Sequence, residues 1–343
     1  MHDNREKLYK IQQALQQAKR IVVVSHEHPD ADTLGASLAL SHWLEIMNKE
    51  HHLFCKDKIP EVLSWFPEDK FTSDANVLKH PDLDVLVALD ISDLKLSGVK
   101  EHIANIDHPV LMINIDHHAA NIEYGDINLV LPKSSSVSEM IYRIFDYLNI
   151  PITPEVATFL LSGVVFDTSG LTNPAADEDA FEVAAALVMA GGKMQSIVRG
   201  IFHNKTIPVL KLWGECLTRL KYNHDKELAT TVIWPEDLIK YNLTEEDISG
   251  LTNFLSSVID APALLVLKYK EDGVVKGSFR TTRNNIDVAE MAKAYGGGGH
   301  KKAAAFTIEG KIVEAATEWK IALKEKEEVG SPNFAAQINI ATA

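Results

Sequence analysis

Hydrophobic and polar positions follow two patterns along this chain, one before residue 191 and another after residue 222. In the first part, Leu8, Ile11, Leu15 and Ala18 recur at close to helical spacing and predict a helix over 5–19. Ile21-Val22-Val23-Val24 then runs apolar without alternation, as a strand buried on both faces would. A helix from about Leu34 to Met47 follows, with a short strand near His52–Cys55. Val85–Leu89 and Val110–Ile115 repeat the buried-strand signature, and residues 134–149, 154–166 and 177–190 read as helices. Strands alternating with helices predict an α/β domain with a parallel sheet and helices on both faces.

Gly191-Gly192 interrupts the helical pattern, and an amphipathic stretch with Leu210, Leu212, Leu217 and Leu220 follows. Beyond it, Glu227–Trp234, Ala263–Lys270 and Val274–Thr281 read as strands, the last two joined through Glu271-Asp272-Gly273. A helix over Ile286–Tyr295 ends in four glycines, a strand over Ala303–Ile308 comes next, and a helix over Ile312–Lys326 is expected to close a smaller α+β domain. The expected division is a first domain over 1–190, a helical connection over 191–222, a second domain over 223–329 and an unpatterned tail over 330–343.

Composition excludes some classes. The 343 residues suit two domains with cores of their own, and 46% hydrophobic with 24% charged residues is ordinary for a soluble globular protein. No apolar stretch approaches the ~20 residues that span a bilayer. The charged start Met1-His2-Asp3-Asn4-Arg5-Glu6-Lys7 lacks a secretory apolar region, so the cytoplasm is expected and a membrane partner is not. Cys55 and Cys216 are too few for a disulfide framework or a thiolate zinc site. A net charge of −14 argues against long duplex nucleic acid, whose binding depends on neutralising phosphates, but leaves room for a short anionic substrate. The oligomeric state stays open, a homodimer included.

The candidate chemistry lies where apolar runs end, which is where open α/β sheets place their ligands. Three strands give way to His26-Glu27-His28-Pro29-Asp30-Ala31-Asp32, to Asp90 and to Asp116-His117-His118; a fourth apolar run, Val164-Val165-Phe166, gives way to Asp167. Taken singly, an aspartate there is a turn residue or cap, and a histidine pair is polar packing. Together the four patches predict a polynuclear metal centre. Asp30 and Asp32 can face two ions, Asp90 is placed to bridge them, and His117 and Asp167 complete the shell of the second ion. Oxygen-rich donors with some imidazole and no thiolate favour Mn²⁺ or Mg²⁺-like ions. Two such ions ~3.5–4 Å apart would activate a bridging hydroxide for in-line displacement at phosphorus. The carboxylates of Asp30, Asp32, Asp90 and Asp167 already balance two divalent ions, so a phosphate needs further donors; His118, Arg280, His300 and Lys301 are candidates. His28, His51, His52, His80 and His108 lack such company and are expected to be structural or solvated.

In the second part, Gly296-Gly297-Gly298-Gly299-His300-Lys301-Lys302 allows close backbone approach to an anion, although a helix end and a turn would also account for it. It lacks the Gly-Lys-Ser/Thr ending of a P-loop. Phe279 and Arg280 alternate on a strand, so one is expected to pack inward and the other to face solvent or ligand. Ser136 with Glu139 fits a capping box at the start of the 137–148 helix, where Ser135 or Ser136 could also touch a phosphate.

As an ordered set these residues resemble the DHH phosphoesterase superfamily, in its two-domain branch of NrnA-type oligoribonucleases and phosphoadenosine phosphatases. The matching positions are His26-x-x-x-Asp30-x-Asp32-x-x-Gly35-x-Ser37, Asp90, Asp116-His117-His118 and Asp167-Thr168, then Gly277-Ser278-Phe279-Arg280 and Gly297-Gly298-Gly299-His300. The resemblance implies a catalytic first domain with two Mn²⁺ (Mg²⁺ or Co²⁺ being alternatives), one on His26, Asp30 and Asp90, the other on Asp32, Asp90, His117 and Asp167. It implies that His118 meets the substrate phosphate and that Asp116 orients a histidine through its ring N–H. Ser278, Arg280, Gly297, Gly298, Gly299 and His300 of the second, DHH-associated domain would hold the rest of a nucleotide across an inter-domain cleft. The implied activity is hydrolysis of short single-stranded RNA to mononucleotides, and of adenosine 3′,5′-bisphosphate to AMP. Hydrolysis of linear dinucleotides, manganese pyrophosphatase activity and nucleotide sensing without turnover are the alternatives; sensing would require a missing ligand, and none is missing. Three places depart from the family pattern: Asp93-Leu94-Lys95 stands where an arginine is common, Asp167-Thr168-Ser169 replaces Asp-Thr-Gly, and Ala305 stands where glycine is frequent. These bear on substrate preference and leave every proposed ligand in place.

Overall fold

The computed structural model describes residues 4–202, 205–248, 250–270, 273–283 and 285–323. Its internal contacts divide it into two units, Met1–Asn204 and Lys205–Ala343. In the first, α1 (Arg5–Gln17), β1 (Arg20–Val24) and α2 (Ala31–Ile46) are followed by β2 (Glu50–Phe54), β3 (Phe71–Thr72) and β4 (Leu83–Leu89). A short α3 (Lys100–Ala104), β5 (Leu111–Asp116) and β6 (Ile127–Val130) complete the sheet, and α4 (Val137–Leu148), α5 (Pro154–Asp167), α6 (Glu178–Met189) and α7 (Met194–Phe202) follow. The six strands are all parallel, in the order β3-β2-β1-β4-β5-β6. The order reverses between β1 and β4, so the loops leaving these two neighbours run apart and open a crevice at their carboxyl ends.

The unbroken apolar runs are buried on both faces. Ile21, Val23, Val85 and Val87 pack with Leu8, Leu34, Ile141 and Leu160 on one side, while Val22, Val24, Leu86 and Ala88 pack with Leu78 and Val99 on the other. Each such valine, leucine or isoleucine stabilises the fold by roughly 1.5–3 kcal/mol. α2 and α5 cross without a gap: a Cβ on Gly35 would lie 2.3 Å from the Phe159 carbonyl oxygen. That crossing brings the start of α2 and the end of α5 to the crevice.

The second unit runs α8 (Ile207–Thr218), β7 (Lys221–Asn223), β8 (Leu228–Ile233), α9 (Pro235–Tyr241), α10 (Leu251–Val258), β9 (Ala263–Lys270), β10 (Val274–Arg280), α11 (Val288–Lys293), β11 (Gly298–His300), β12 (Ala303–Glu314) and β13 (Trp319–Leu323). Its sheet is mixed, in the order β11-β12-β10-β9-β8-β7 with β13 on β12, and β8 and β9 are parallel. Val232, Leu265, Phe279 and Phe306 form the core on one face, Leu212, Trp213, Leu255 and Leu264 on the other.

One expectation fails here. The helix expected over Ile312–Lys326 is a continuation of β12 and its return as β13, with Ile312 opposite Ile321 and Glu314 opposite Trp319. β-branched Ile312 and Val313 favour the strand, and burial decides it. Trp319 is 8% exposed, its backbone N–H donates to Thr230 Oγ1 at 2.9 Å, and its indole N–H donates to the Arg219 carbonyl at 2.8 Å. The end of the glycine run joins the sheet, since Gly298–His300 pairs with β12. Residues 271 and 272 of the expected β9–β10 turn, residues 324–326 and the 330–343 tail lie outside the described residues. Both cysteines are buried and free, and among the described residues no single helix is long and apolar enough to cross a membrane.

Candidate metal centre

The centre is built from helix and strand ends. Asp30 caps α2: its Oδ1 accepts from the N–H groups of Asp32 at 2.9 Å and Thr33 at 3.1 Å, satisfying two otherwise orphan donors. The same oxygen lies 3.8 Å from His26 Nε2. Asp32 is turned toward α4, where its Oδ2 accepts from Val137 N–H at 2.7 Å and its Oδ1 from Ser138 N–H at 2.8 Å. Asp90 leaves β4 with φ 61°, a left-handed backbone that aspartate tolerates better than most residues. This aims a side chain of a residue only 4% exposed into the crevice. Its Oδ2 is 3.4 Å from His26 Nε2, and its Oδ1 is 3.7 Å from His117 Nε2 and 3.5 Å from His118 Nδ1. Asp167, the last residue of α5, has Oδ2 3.3 Å from His117 Nε2.

The hydrogen bonds divide the histidines by role. His26 Nδ1 faces the Glu27 carbonyl at 2.7 Å, and His117 Nδ1 faces the Ser134 carbonyl at 3.2 Å. A carbonyl only accepts, so each ring donates from Nδ1 and turns Nε2 to the carboxylates, the arrangement of a metal ligand. His118 instead puts Nδ1 on Asp116 Oδ1 at 2.7 Å, and that oxygen also accepts from the backbone N–H groups of His117 and His118. Asn121 donates to Asp116 Oδ2 at 2.5 Å and to Asn114 Oδ1 at 2.8 Å, and Asn114 in turn donates to Tyr124 Oη and the Ile91 carbonyl.

The ligand atoms fall into overlapping groups within 4.8 Å of one another: His26, Asp30 and Asp90; Asp32, His117 and Asp167; and Asp90, His117 and His118. The six residues expected as metal ligands, and His118 with them, are therefore brought together. Burial and the neighbouring Asp90 carboxylate push Asp32 up to about 7, and burial with mutual repulsion raises Asp90 and Asp167 as well. Burial opposes charge on His26, but the Asp30 and Asp90 carboxylates hold it up to about 11. The Asp116 hydrogen bond holds His118 up to about 9 against its burial. Asp90 Oδ1 is buried without a hydrogen-bond partner, a costly state for a carboxylate oxygen. Crowded carboxylates, two imidazole Nε2 atoms and an orphaned oxygen between them fit divalent cations.

Sequence reasoning missed several parts. Buried Asn114 interrupts an apolar strand, and that interruption was the available signal for the network under Asp116. Gly163 on α5 clears space for the centre, since a Cβ there would lie 2.1 Å from Ser138 Oγ and 2.5 Å from Asp32 Oδ1. The capping box is only half formed. Ser136 Oγ accepts from Glu139 N–H at 3.0 Å, but Glu139 Oε2 takes the N–H and hydroxyl of Ser135 instead of returning to Ser136. The unsupported histidines have local partners, as when His51 meets Ser41 and Lys49 and His108 meets the Leu83 carbonyl.

In the second unit Phe279 packs into the core while Arg280 Nε donates to Asn253 Oδ1 at 2.8 Å. Register puts Ser278, Ala305 and Gly298 in one row across β10, β12 and β11, and Arg280, Ala303 and His300 in the next but one. The side chain of His300 is not among those described. Gly297 and Gly299 are needed for this packing: Cβ atoms there would lie 2.2 Å from the Ala305 carbonyl and 2.6 Å from the Ala303 carbonyl.

Known proteins match the chain over both units. Residues 20–164 match the DHH family N-terminal domain and residues 225–325 the DHHA1 domain. Over 298 residues the chain is 29% identical to the bifunctional oligoribonuclease and PAP phosphatase NrnA of Thermus thermophilus, with 87% of each chain covered. It is 24% identical to the Bacillus subtilis protein of that name, covering 84% of this chain and 89% of that one. An exopolyphosphatase-related protein from Bacteroides fragilis has the same fold, with a TM-score of 0.81 at 24% identity over 88% of this chain and 91% of that one. A DHH N-terminal domain followed by a DHHA1 domain makes this chain a member of the DHH family.

Proposed function

We propose that this chain is a Mn²⁺-dependent phosphoesterase that hydrolyses short oligoribonucleotides to mononucleotides and takes the 3′-phosphate from adenosine 3′,5′-bisphosphate. The observation that carries the reading is Asp90, whose two oxygens are divided between two donor groups and one of which is buried without a hydrogen bond. His26, Asp30 and Asp90 would hold one ion, and Asp32, Asp90, His117 and Asp167 the other. Bound there, the pair would polarise a phosphoryl oxygen and lower the pKa of an attacking water. His118, its Nδ1 bonded to Asp116, would offer its Nε2–H to a phosphate oxygen as a charge-assisted donor. Ser278, Arg280, Gly297, Gly298, Gly299 and His300 would grip the rest of the nucleotide, making 223–329 the substrate-binding domain and 1–190 the catalytic one. The names of the Thermus and Bacillus relatives support the substrate class. A chain of net charge −14 suits short strands better than long duplexes.

Pure protein with Mn²⁺ is to be assayed against short RNAs of graded length, adenosine 3′,5′-bisphosphate, linear diadenylate and pyrophosphate. Stepwise release of mononucleotides is expected. Pyrophosphate as the sole substrate would overturn the nucleotide reading.

A further inference from the structure

The first turn of α4 serves one of the donor groups and not the other. Val137 and Ser138 donate their N–H groups to Asp32, and the Ser134 carbonyl accepts from His117 Nδ1; both side chains belong to the group completed by Asp167. The hydrogen bonds of His26 and Asp30 run to Glu27 and to the first turn of α2. What holds the α4 turn is Glu139, whose side chain is 2% exposed. Its Oε2 takes Ser135 N–H at 2.8 Å and Ser135 Oγ–H at 2.7 Å, and its Oε1 accepts from Arg143 Nε at 3.0 Å. Arg143 Nη2 pairs with Asp179 Oδ1 at 3.0 Å, in the first turn of α6. Capping α4 does not explain this carboxylate, because Ser136 Oγ already makes the cap through the Glu139 backbone. Ser134, Glu139, Arg143 and Asp179 line a cavity of about 590 Å³, so the pair sits beside open space and not in close-packed core.

We propose that Glu139, clamped by Arg143, is a positioning residue that sets the Asp32–His117–Asp167 subsite independently of the His26–Asp30 subsite. It belongs to none of the candidate ligand groups. By fixing Ser135 it fixes the Ser134 carbonyl that orients His117 and the two N–H groups that orient Asp32. The inference rests on the metal-centre reading above.

The test is Mn²⁺ binding to wild type, E139A and E139Q, followed by the electron paramagnetic resonance of free ion, with thermal unfolding of each metal-free protein in parallel. E139A is expected to weaken one of two sites roughly ten- to hundredfold and leave the other within about twofold. E139Q keeps an acceptor for Ser135 and is expected to weaken the same site less; if E139A melts below assay temperature, the selective loss in E139Q carries the test. Wild-type affinity at both sites in the variants overturns the proposal, and so does equal weakening of both. Wild-type protein that binds no Mn²⁺ overturns the metal-centre reading itself.

Discussion

Asp90 joins the two donor groups because β4 ends in a left-handed residue whose side chain has an oxygen for each. Its truncation should therefore be far more costly than loss of one ordinary contact. D90A is expected to lower kcat on a short RNA by at least about a thousandfold, the scale of ~4 kcal/mol of transition-state stabilisation, with the circular dichroism spectrum unchanged. Undiminished Mn²⁺-dependent turnover would defeat the two-ion reading. Protons compete with metal at the same residues. Without metal, His26 is held protonated by Asp30 and Asp90, up to about pH 11, and Asp32 becomes protonated as pH falls through about 7. Both must lose protons to bind an ion, so Mn²⁺ affinity should rise with pH over roughly pH 6 to 9, with proton release. Calorimetric titration in buffers of different ionisation heat reads that release, and affinity independent of pH would contradict it.

At the scale of elements, the centre depends on how closely α5 passes α2 and α4. G163A would put a methyl group against Ser138 and Asp32, and overpacking of this kind costs about 1–3 kcal/mol. The expected result is a lower melting temperature together with weaker Mn²⁺ binding. A loss of stability with wild-type metal affinity would show that the crossing does not shape the centre. In the second unit, R280A should raise KM for RNA roughly tenfold or more while changing kcat less, the mark of binding shared by ground and transition states. The helices and strands themselves were mostly legible, because their periods are local. The β12–β13 hairpin was not: Ile312, Ala316, Trp319 and Leu323 also fit helical spacing, and only the burial of Trp319 against β8 and Arg219 selects the strand.

For the whole molecule, each unit has its own cores, and every candidate metal ligand lies in the first. Saturating Mn²⁺ should thus stabilise the first unit alone, by ~2.7 kcal/mol for each bound ion at a hundredfold excess over its Kd. Scanning calorimetry is expected to show two transitions, one moving upward with Mn²⁺ and returning with a chelator. A single transition that moves as one would mean that the units unfold together. The carboxylates of the centre also contribute to the net charge of −14, so bound ions make the folded protein less acidic than its sequence.

The sequence by itself determined the parallel sheet, the acids and histidines at its strand ends and the alternation of Phe279 with Arg280. Periodicity and chain order carry all of these, and both are local properties. Tertiary structure decided which donors come together. Asp32 meets α4 across 105 residues and His117 meets Ser134 across 17, while Asp90 acquires its bridging place only when β4 lies beside both β1 and β5. Such contacts come from burial and strand order, which bring distant residues together in ways that no spacing along the chain encodes.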